Sequence, residues 1–351
     1  MSEILVVGPD GQNRGIDEDR GTVYTGQGSV QLRDMEISDV HLTSAMSNFI
    51  TGYGQNQSEA IADLVCPVLM VDKPYDTYYT WDKDDKFQDV TDDISSENTQ
   101  LAEVTPRLST ATYTTVARGL SSFVSQGSVA AADAMINPRM AALSRIMNAM
   151  TLRREKRVIS ALTNASTFSG YTAAIAAGAK WNGGATSDPV ADLFAAMQAS
   201  LMPITHIVMN QRTWFSFITN VNVTKHFSYS GIATVGSSPA MIANLLGLPT
   251  IVIGTMKGKS TTAGTYGYLW GNEVLLLHIP AGARVSAEEV PTARTFRWNK
   301  AGGSNGNGFR IRSWVEPSRG QDGGEMIAVL SNDVEVVVAA NTGYLLTTAW
   351  Q

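Results

Sequence analysis

Cysteine is nearly absent from this chain: Cys66 is the single one in 351 residues, so no disulfide can close within one copy and no cysteine-based zinc site can form. A reducing compartment is expected. No run of 18 or more mostly apolar residues occurs, which excludes a bilayer-spanning helix and points to a soluble chain without membrane partners. The first apolar run, Ile4 to Val7, is short and lacks upstream charge, so no secretory signal is expected. Positive charge is not in excess either. The 26 basic and 32 acidic residues give a formal net charge of −6, which argues against broad electrostatic attraction to nucleic acid.

Catalytic groupings are equally scarce. The four histidines, His41, His206, His226 and His278, are far apart and show no paired-ligand spacing. His206 and His278 sit in apolar strands and read as hydrogen-bonded core residues. Gly254 to Ser260 follows an apolar strand and resembles a phosphate loop, but it has three residues between its glycines where that loop needs four, and no helix opens after it. A hairpin is expected there. Asp82 to Lys86 begins like a calcium loop, yet Lys86 stands where an oxygen ligand is needed and Phe87 replaces the turn glycine. Cys66, next to Pro67 in an apolar run, reads as buried and inert. No enzyme, cofactor or metal is expected.

What is present is enough for a globular body. Hydrophobic residues make up 44% and charged residues 17%, so the chain as a whole can bury a core, and its length suggests two or three units. Residues 1–63 are polar and glycine-rich and read as an extended arm with one or two short helices. From Pro67 the sequence turns strand-like, with Tyr75, Tyr78, Tyr79 and Trp81. A strongly acidic stretch follows from Asp82 to Glu97, carrying seven acids and two lysines for a net −5. β-branched sequence returns from Leu101 to Val124, so 67–126 reads as a long two-stranded excursion with a charged tip, which needs a surface to lie on.

Ala130 to Phe168 is the strongest helical signal, with Ile136, Met140, Leu143, Met147 and Met150 at spacings of four, three, four and three. At ~1.5 Å per residue, roughly 35 residues span about 50 Å. Its basic run, Arg153, Arg154, Lys156 and Arg157 around Glu155, reads either as a solvated face or as a surface that receives an acidic partner. Asp188 with Pro189 opens the next helix, and strands and helices then alternate through a mixed domain to Ile279. From Thr295 the pattern is alternating β. Arg310, Arg312 and Trp314 fall on one face of a strand and Phe309, Ile311 and Ser313 on the other. Met326 to Leu330 and Val334 to Ala339 close the chain as strands.

In this order of segments, and most sharply in Tyr268 to Asn272, Arg294 to Trp298 and the valine-rich C-terminus through Tyr344, the chain resembles tailed-phage major capsid proteins of the HK97-like fold. The resemblance implies an α+β capsid fold with an N-terminal arm (1–63), an extended β-hairpin loop (64–126), a peripheral domain with a long spine helix (127–186 and 286–330) and an axial α/β domain (187–285 and 331–351). It also implies a function. Hexamers and pentamers of the chain would close into an icosahedral shell around double-stranded DNA, in a virion assembled in a bacterial cytoplasm, with portal, scaffolding or decoration proteins as partners and only weak, non-specific contact with the DNA. The arm leaves little room for a cleaved scaffolding segment, so a separate scaffold or none is expected.

In such shells the extended loop lies across a neighbouring subunit. The acidic tip, with Asp82, Asp84, Asp85, Asp89, Asp92 and Asp93, is therefore expected to approach a basic surface of that neighbour, either Arg153, Arg154 and Arg157 or the Arg310 and Arg312 face. Lys83 and Lys86 lie in the loop where some family members form a lysine–asparagine cross-link, but no asparagine partner is marked. The alternative within the architecture is an encapsulin-like cellular nanocompartment. A hydrolase or nucleotide-dependent enzyme built on the α/β region lacks its side chains, and the long helix disfavours a tail or decoration protein.

Overall fold

The computed structural model describes residues 4–7, 13–17, 22–25, 28–31, 59–80, 109–131, 137–183, 186–228, 238–259, 265–284, 286, 289–300 and 309–350. The chain divides into two units, Met1–Tyr53 and Gly54–Gln351. In the first, β1 (Ile4–Val7), β2 (Asn13–Asp17), β3 (Thr22–Thr25) and β4 (Gly28–Gln31) form an antiparallel meander in that order. An arm with one or two short helices was expected over 1–63; its described residues before Tyr53 are strands, a helix begins at Ala62, and residues 32–58 lie outside the described residues. Each strand is four or five residues long, too short for a period to stand out.

The second unit opens with α1 (Ala62–Val65) and β5 (Val68–Val71), then the ladder of β6 (Tyr75–Thr80) with β7 (Ser109–Thr114), then β8 (Val116–Ser125) and α2 (Gln126–Ala130). The long helix is α3 (Pro138–Leu162), followed by β9 (Thr172–Ala174), α4 (Pro189–Ala199), β10 (His206–Asn210), α5 (Gln211–Thr219), α6 (Val221–Ser228) and α7 (Pro239–Leu246). Next come β11 (Thr250–Gly254), β12 (Lys257–Lys259), β13 (Tyr266–Tyr268) and β14 (Val274–Leu277). The last strands are β15 (Ala293–Trp298), β16 (Phe309–Glu316), β17 (Gly324–Val337) and β18 (Tyr344–Thr347).

Two sheets organise this unit. One runs β11-β10-β14-β18-β9, with β10 parallel to β11 and antiparallel to β14. Its strands read as continuous apolar runs because both faces are covered: Ile207 and Met209 enter one core with Trp214, Phe217 and Ile242, while Val208, Leu275 and Leu277 enter another with Val158 and Trp270. The second sheet runs β16-β17-β15-β5, and β8 also pairs with β17. Here β17 is one 14-residue strand, where two shorter strands were expected.

The ends of the 67–126 excursion belong to this second sheet. β5 lies parallel to β15, and β8 pairs with β17 from Ser125 opposite Gly324 to Val116 opposite Asp333. The separate two-stranded part is therefore shorter than the sequence suggested. Its described part runs from Tyr75 opposite Thr114 to Thr80 opposite Ser109, and its inner face docks on the body through Tyr113 stacked on Phe296 at 4.4 Å and Tyr78 at 5.1 Å from the same ring. The acidic tip lies outside the described residues.

Local chemistry sets the element ends. Asp188 Oδ1 accepts the Ala191 amide to cap α4, with Pro189 at its first position. Gly247 adopts a left-handed conformation, φ 64°, and ends α7. In the Gly254 to Lys259 segment Gly254 is pressed on the Trp270 ring, and Lys257 to Lys259 form a strand paired with Tyr266 to Tyr268, as the hairpin reading expected.

Candidate functional site

The 25-residue helix α3 carries the side chains that matter most. Asn137 Oδ1 accepts the Arg139 and Met140 amides at 3.0 and 3.4 Å and Pro138 occupies the first position, which is why the helix starts here and not at Ala130. Its buried stripe begins apolar, with Leu143, Ile146 and Met147, turns ionic at Arg154 and Glu155, and ends apolar at Val158 and Leu162.

Glu155 is fully buried. Its Oε1 accepts Trp270 Nε1–H at 2.7 Å and its Oε2 accepts the Ala62 amide at 2.9 Å, so one carboxylate ties the long helix to the α1 segment and to Trp270. Burial pushes its carboxyl above the ordinary range, and these hydrogen bonds only partly offset that. Next to it Arg154 pairs with Asp63 and reaches Thr295 Oγ1 at 3.5 Å. Partial desolvation opposes ionisation of Asp63, but the Arg154 guanidinium outweighs it and holds the carboxyl below its usual value.

One turn further, Arg157 grips Glu335 through Nε at 3.0 and 3.1 Å and touches Asp333 Oδ1 at 3.2 Å. Asp333, 2% exposed, also accepts Arg118 Nε–H at 3.0 Å and lies 3.6 Å from Arg297. Burial, with repulsion from Arg154, lowers the Arg297 guanidinium to about 10. Three elements, α3, β8 and β15, thus converge on one strand, β17, through charged side chains. This explains how β17 stays continuous through Ser331, Asn332 and Asp333, which lie between the two strands the sequence suggested.

Between α3, β8 and the α1 segment opens a cavity of about 710 Å³. Its lining holds six cations, Arg118, Arg153, Arg154, Lys156, Arg157 and Arg284, against two carboxylates, Asp63 and Asp333. Leu64, Leu120, Met147 and Phe309 contribute its apolar part. Sequence reasoning missed this cavity because it joins residues more than 200 positions apart.

The structure sorts the predicted basic residues. Arg153 is exposed on α3, whereas Arg154 is 8% exposed and Arg157 is spent largely on its own chain. A wholly solvated basic face is therefore incorrect. Arg310 and Arg312 are exposed on β16, beside Trp314 as the alternation required. Asp82, Asp84, Asp85, Asp89, Asp92 and Asp93 lie outside the described residues. Cys66 is buried, with its thiol pushed up to about 12 by burial, as expected of an inert residue. His206 and His278 hydrogen-bond to Thr205 Oγ1 and to the Pro203 carbonyl, and burial lowers the His206 imidazole. Among the described residues no group of His, Cys, Asp and Glu is arranged to hold a metal.

No protein-family model matches the chain, and no curated protein matches its sequence. Solved structures do match. A phage-related protein from Bordetella bronchiseptica RB50 is similar at 17% identity and a TM-score of 0.68, over 87% of this chain and 97% of that one. The capsid structure of the cyanophage P-SCSP1u gives 10% identity and a TM-score of 0.51 over 80% and 86% of the two chains. The capsid of an empty GTA particle gives 15% and 0.50 over 83% and 90%. At these identities the likeness is one of fold: the chain has the α+β fold of HK97-like phage capsid proteins.

Proposed function

We propose that this chain is the major capsid protein of a tailed phage, a structural subunit that assembles as hexamers and pentamers into an icosahedral shell around double-stranded DNA. The observation that carries this reading is the extent of the fold likeness, which runs along 87% of this chain and 97% of the phage-related neighbour and so leaves little of the neighbour without a counterpart. The net charge of −6 suits a container that must hold DNA without adhering to it. Residues 1–63 would form the arm, 64–126 the extended loop, 127–186 with 286–330 the peripheral domain, and 187–285 with 331–351 the axial domain. Portal, scaffolding or decoration proteins would complete a virion built in the host cytoplasm. Between subunits, the acidic tip would meet a basic surface of the adjacent copy, with Arg153, Arg310 and Arg312 offering the exposed charge.

The test is electron microscopy with sedimentation of the purified protein, expressed alone and beside its genomic neighbours. Closed shells or capsomer rings, with nuclease-protected DNA when the neighbours are present, are the expected result. Shells that enclose a protein cargo and no DNA would move the reading to an encapsulin-like compartment, and a persistent monomer would overturn both.

A further inference from the structure

The outer edge of the second sheet is complementary to itself. β16 pairs with β17 on one side and ends the sheet, so among the described residues its other edge offers unpaired main-chain N–H and C=O groups. An open edge recruits another strand unless it is short, charged or covered. β16 is eight residues long, and from Ser313 to Val315 it is exposed on both faces as well as along the edge. That end of the strand shows an indole and an aliphatic side chain to solvent.

The residues along the edge select the partner. Laid antiparallel against a second copy of itself with Ser313 opposite Ser313, β16 sets Arg310 opposite Glu316, Ile311 opposite Val315 and Arg312 opposite Trp314, each pairing made twice. Alternation keeps Arg310, Arg312, Trp314 and Glu316 on one face in both copies, and Ile311, Ser313 and Val315 on the other. Charge then meets opposite charge, a guanidinium meets an indole, and aliphatic meets aliphatic. Other registers lose this. A shift by one residue puts the faces out of step and sets Arg312 opposite Ser313 or Val315. A shift by two either sets Arg312 opposite Arg312 or shortens the ladder to residues 312–316. Among the described residues no carboxylate pairs with Arg310 or Arg312, whereas Arg118 and Arg157, on the α3 side of the same sheet, are spent on Asp333 and Glu335.

We infer that two copies of this chain associate through β16, edge to edge about a two-fold axis at Ser313, and so join their second sheets into one. The interface is isologous and needs no other segment. It rests on the shell reading only for its use, as a two-fold contact between neighbouring subunits, and it engages Arg310 and Arg312, leaving Arg153 for the acidic tip.

The test is disulfide trapping in the full chain. Directly opposed residues of an antiparallel pair have Cα atoms about 4.5 or 5.5 Å apart, a separation that a disulfide spans. Ser313→Cys should therefore give a covalent dimer on mild oxidation. In Val315→Cys the two copies of the new thiol would lie about 14 Å apart along the strand, at roughly 3.4 Å per residue, and trapping should be about tenfold slower. The wild-type chain, whose one cysteine is buried, gives the background. In the Ser313→Cys chain, Arg310→Glu and Glu316→Arg should each slow trapping about fivefold, and both together should restore it, because the swap brings opposite charges face to face again. A Ser313→Cys chain that stays monomeric, equal trapping through Val315→Cys, or a swap that fails to restore the rate would each overturn the pairing. Normal shells with Ser313→Cys untrapped would strike this contact and leave the shell reading standing. Trapped dimers from a chain that builds no shells would strike the shell reading and leave the contact.

Discussion

The two large sheets of the second unit are built on opposite terms. In β11-β10-β14-β18-β9, neighbouring residues of one strand enter different cores: Val274 and Leu276 pack on one side, Leu275 and Leu277 on the other, and all four are buried. In β16-β17-β15-β5, the outer strand β16 alternates half-buried and exposed positions only from Phe309 to Arg312, and then exposes Ser313, Trp314 and Val315 in succession, the last two at 40% and 72%. Its centre is an ionic knot around Asp333 and Glu335. A sheet covered on both faces is held by non-directional burial, whereas a sheet open on one face takes its register from charge pairing and keeps a face free for another molecule.

The largest effect is expected in the first sheet's core. Phe217 is fully buried against Trp181 and Trp214, with ring centroids 5.7 Å away in each case. Phe217→Ala should cost about 4 kcal/mol through lost transfer energy and an unfilled cavity, read as a shift of the urea midpoint of the unassembled subunit. In the second sheet, Asp333→Ala should cost about 3 kcal/mol, because it takes one buried carboxylate away from Arg118, Arg157 and Arg297 together. A neutral Asp333→Ala would erase the contrast, for it would mean that apolar contacts hold both sheets.

Glu155 sits where the long helix meets both sheets, and its substitution is the next largest. Glu155→Gln keeps the shape but offers one acceptor oxygen where Trp270 Nε1–H and the Ala62 amide both donate, so about 2 kcal/mol should be lost. The pH dependence has a definite sign. The Glu155 carboxyl is raised by burial, so its contribution is full below the unfolded-state value near ~4.3 and is lost as pH rises through the higher folded-state value. The cost of Glu155→Gln should therefore shrink from acid to neutral pH. Parallel urea curves for wild type and variant across that range measure it, and a cost that grows with pH would contradict the assigned burial.

The same contrast explains what could be read from the residues in order. The three strands β10, β11 and β14 of the first sheet were legible, because continuous apolar runs, the Asp188 and Pro189 start and the Gly247 stop are local signals, whereas the short edge strand β9 and its neighbour β18 were not. Helix α6 went unread because Asn220 interrupts the pattern just before Val221. The second sheet was legible only in pieces. β5 pairs with β15 across more than 200 residues, and the polar Ser331, Asn332 and Asp333 join the two expected strands into one where Arg118, Arg157 and Arg297 meet Asp333 from elsewhere in the chain. The basic run on α3 was visible as composition. That Arg154 and Arg157 point inward while Arg153 and Lys156 stay exposed depends on which face of the helix meets β17, and no spacing in the run itself decides that.

The smallest effect is expected beside Glu155, at Asp63, and it should run the opposite way with pH. Arg154 holds Asp63 from a 10% exposed side chain, but the Asp63 side chain is 60% exposed, so solvent screens most of what the pair is worth. Asp63→Asn should cost under ~1 kcal/mol at neutral pH. Because the arginine depresses the Asp63 carboxyl, that contribution is present above the unfolded-state value near ~3.9 and disappears as pH falls through the lower folded-state value. Two carboxylates flanking one arginine would then show stability differences of opposite slope, one set by burial and one by pairing. If Asp63→Asn instead cost as much at acid pH as at neutral pH, the pair would be contributing shape to the cavity wall and not charge.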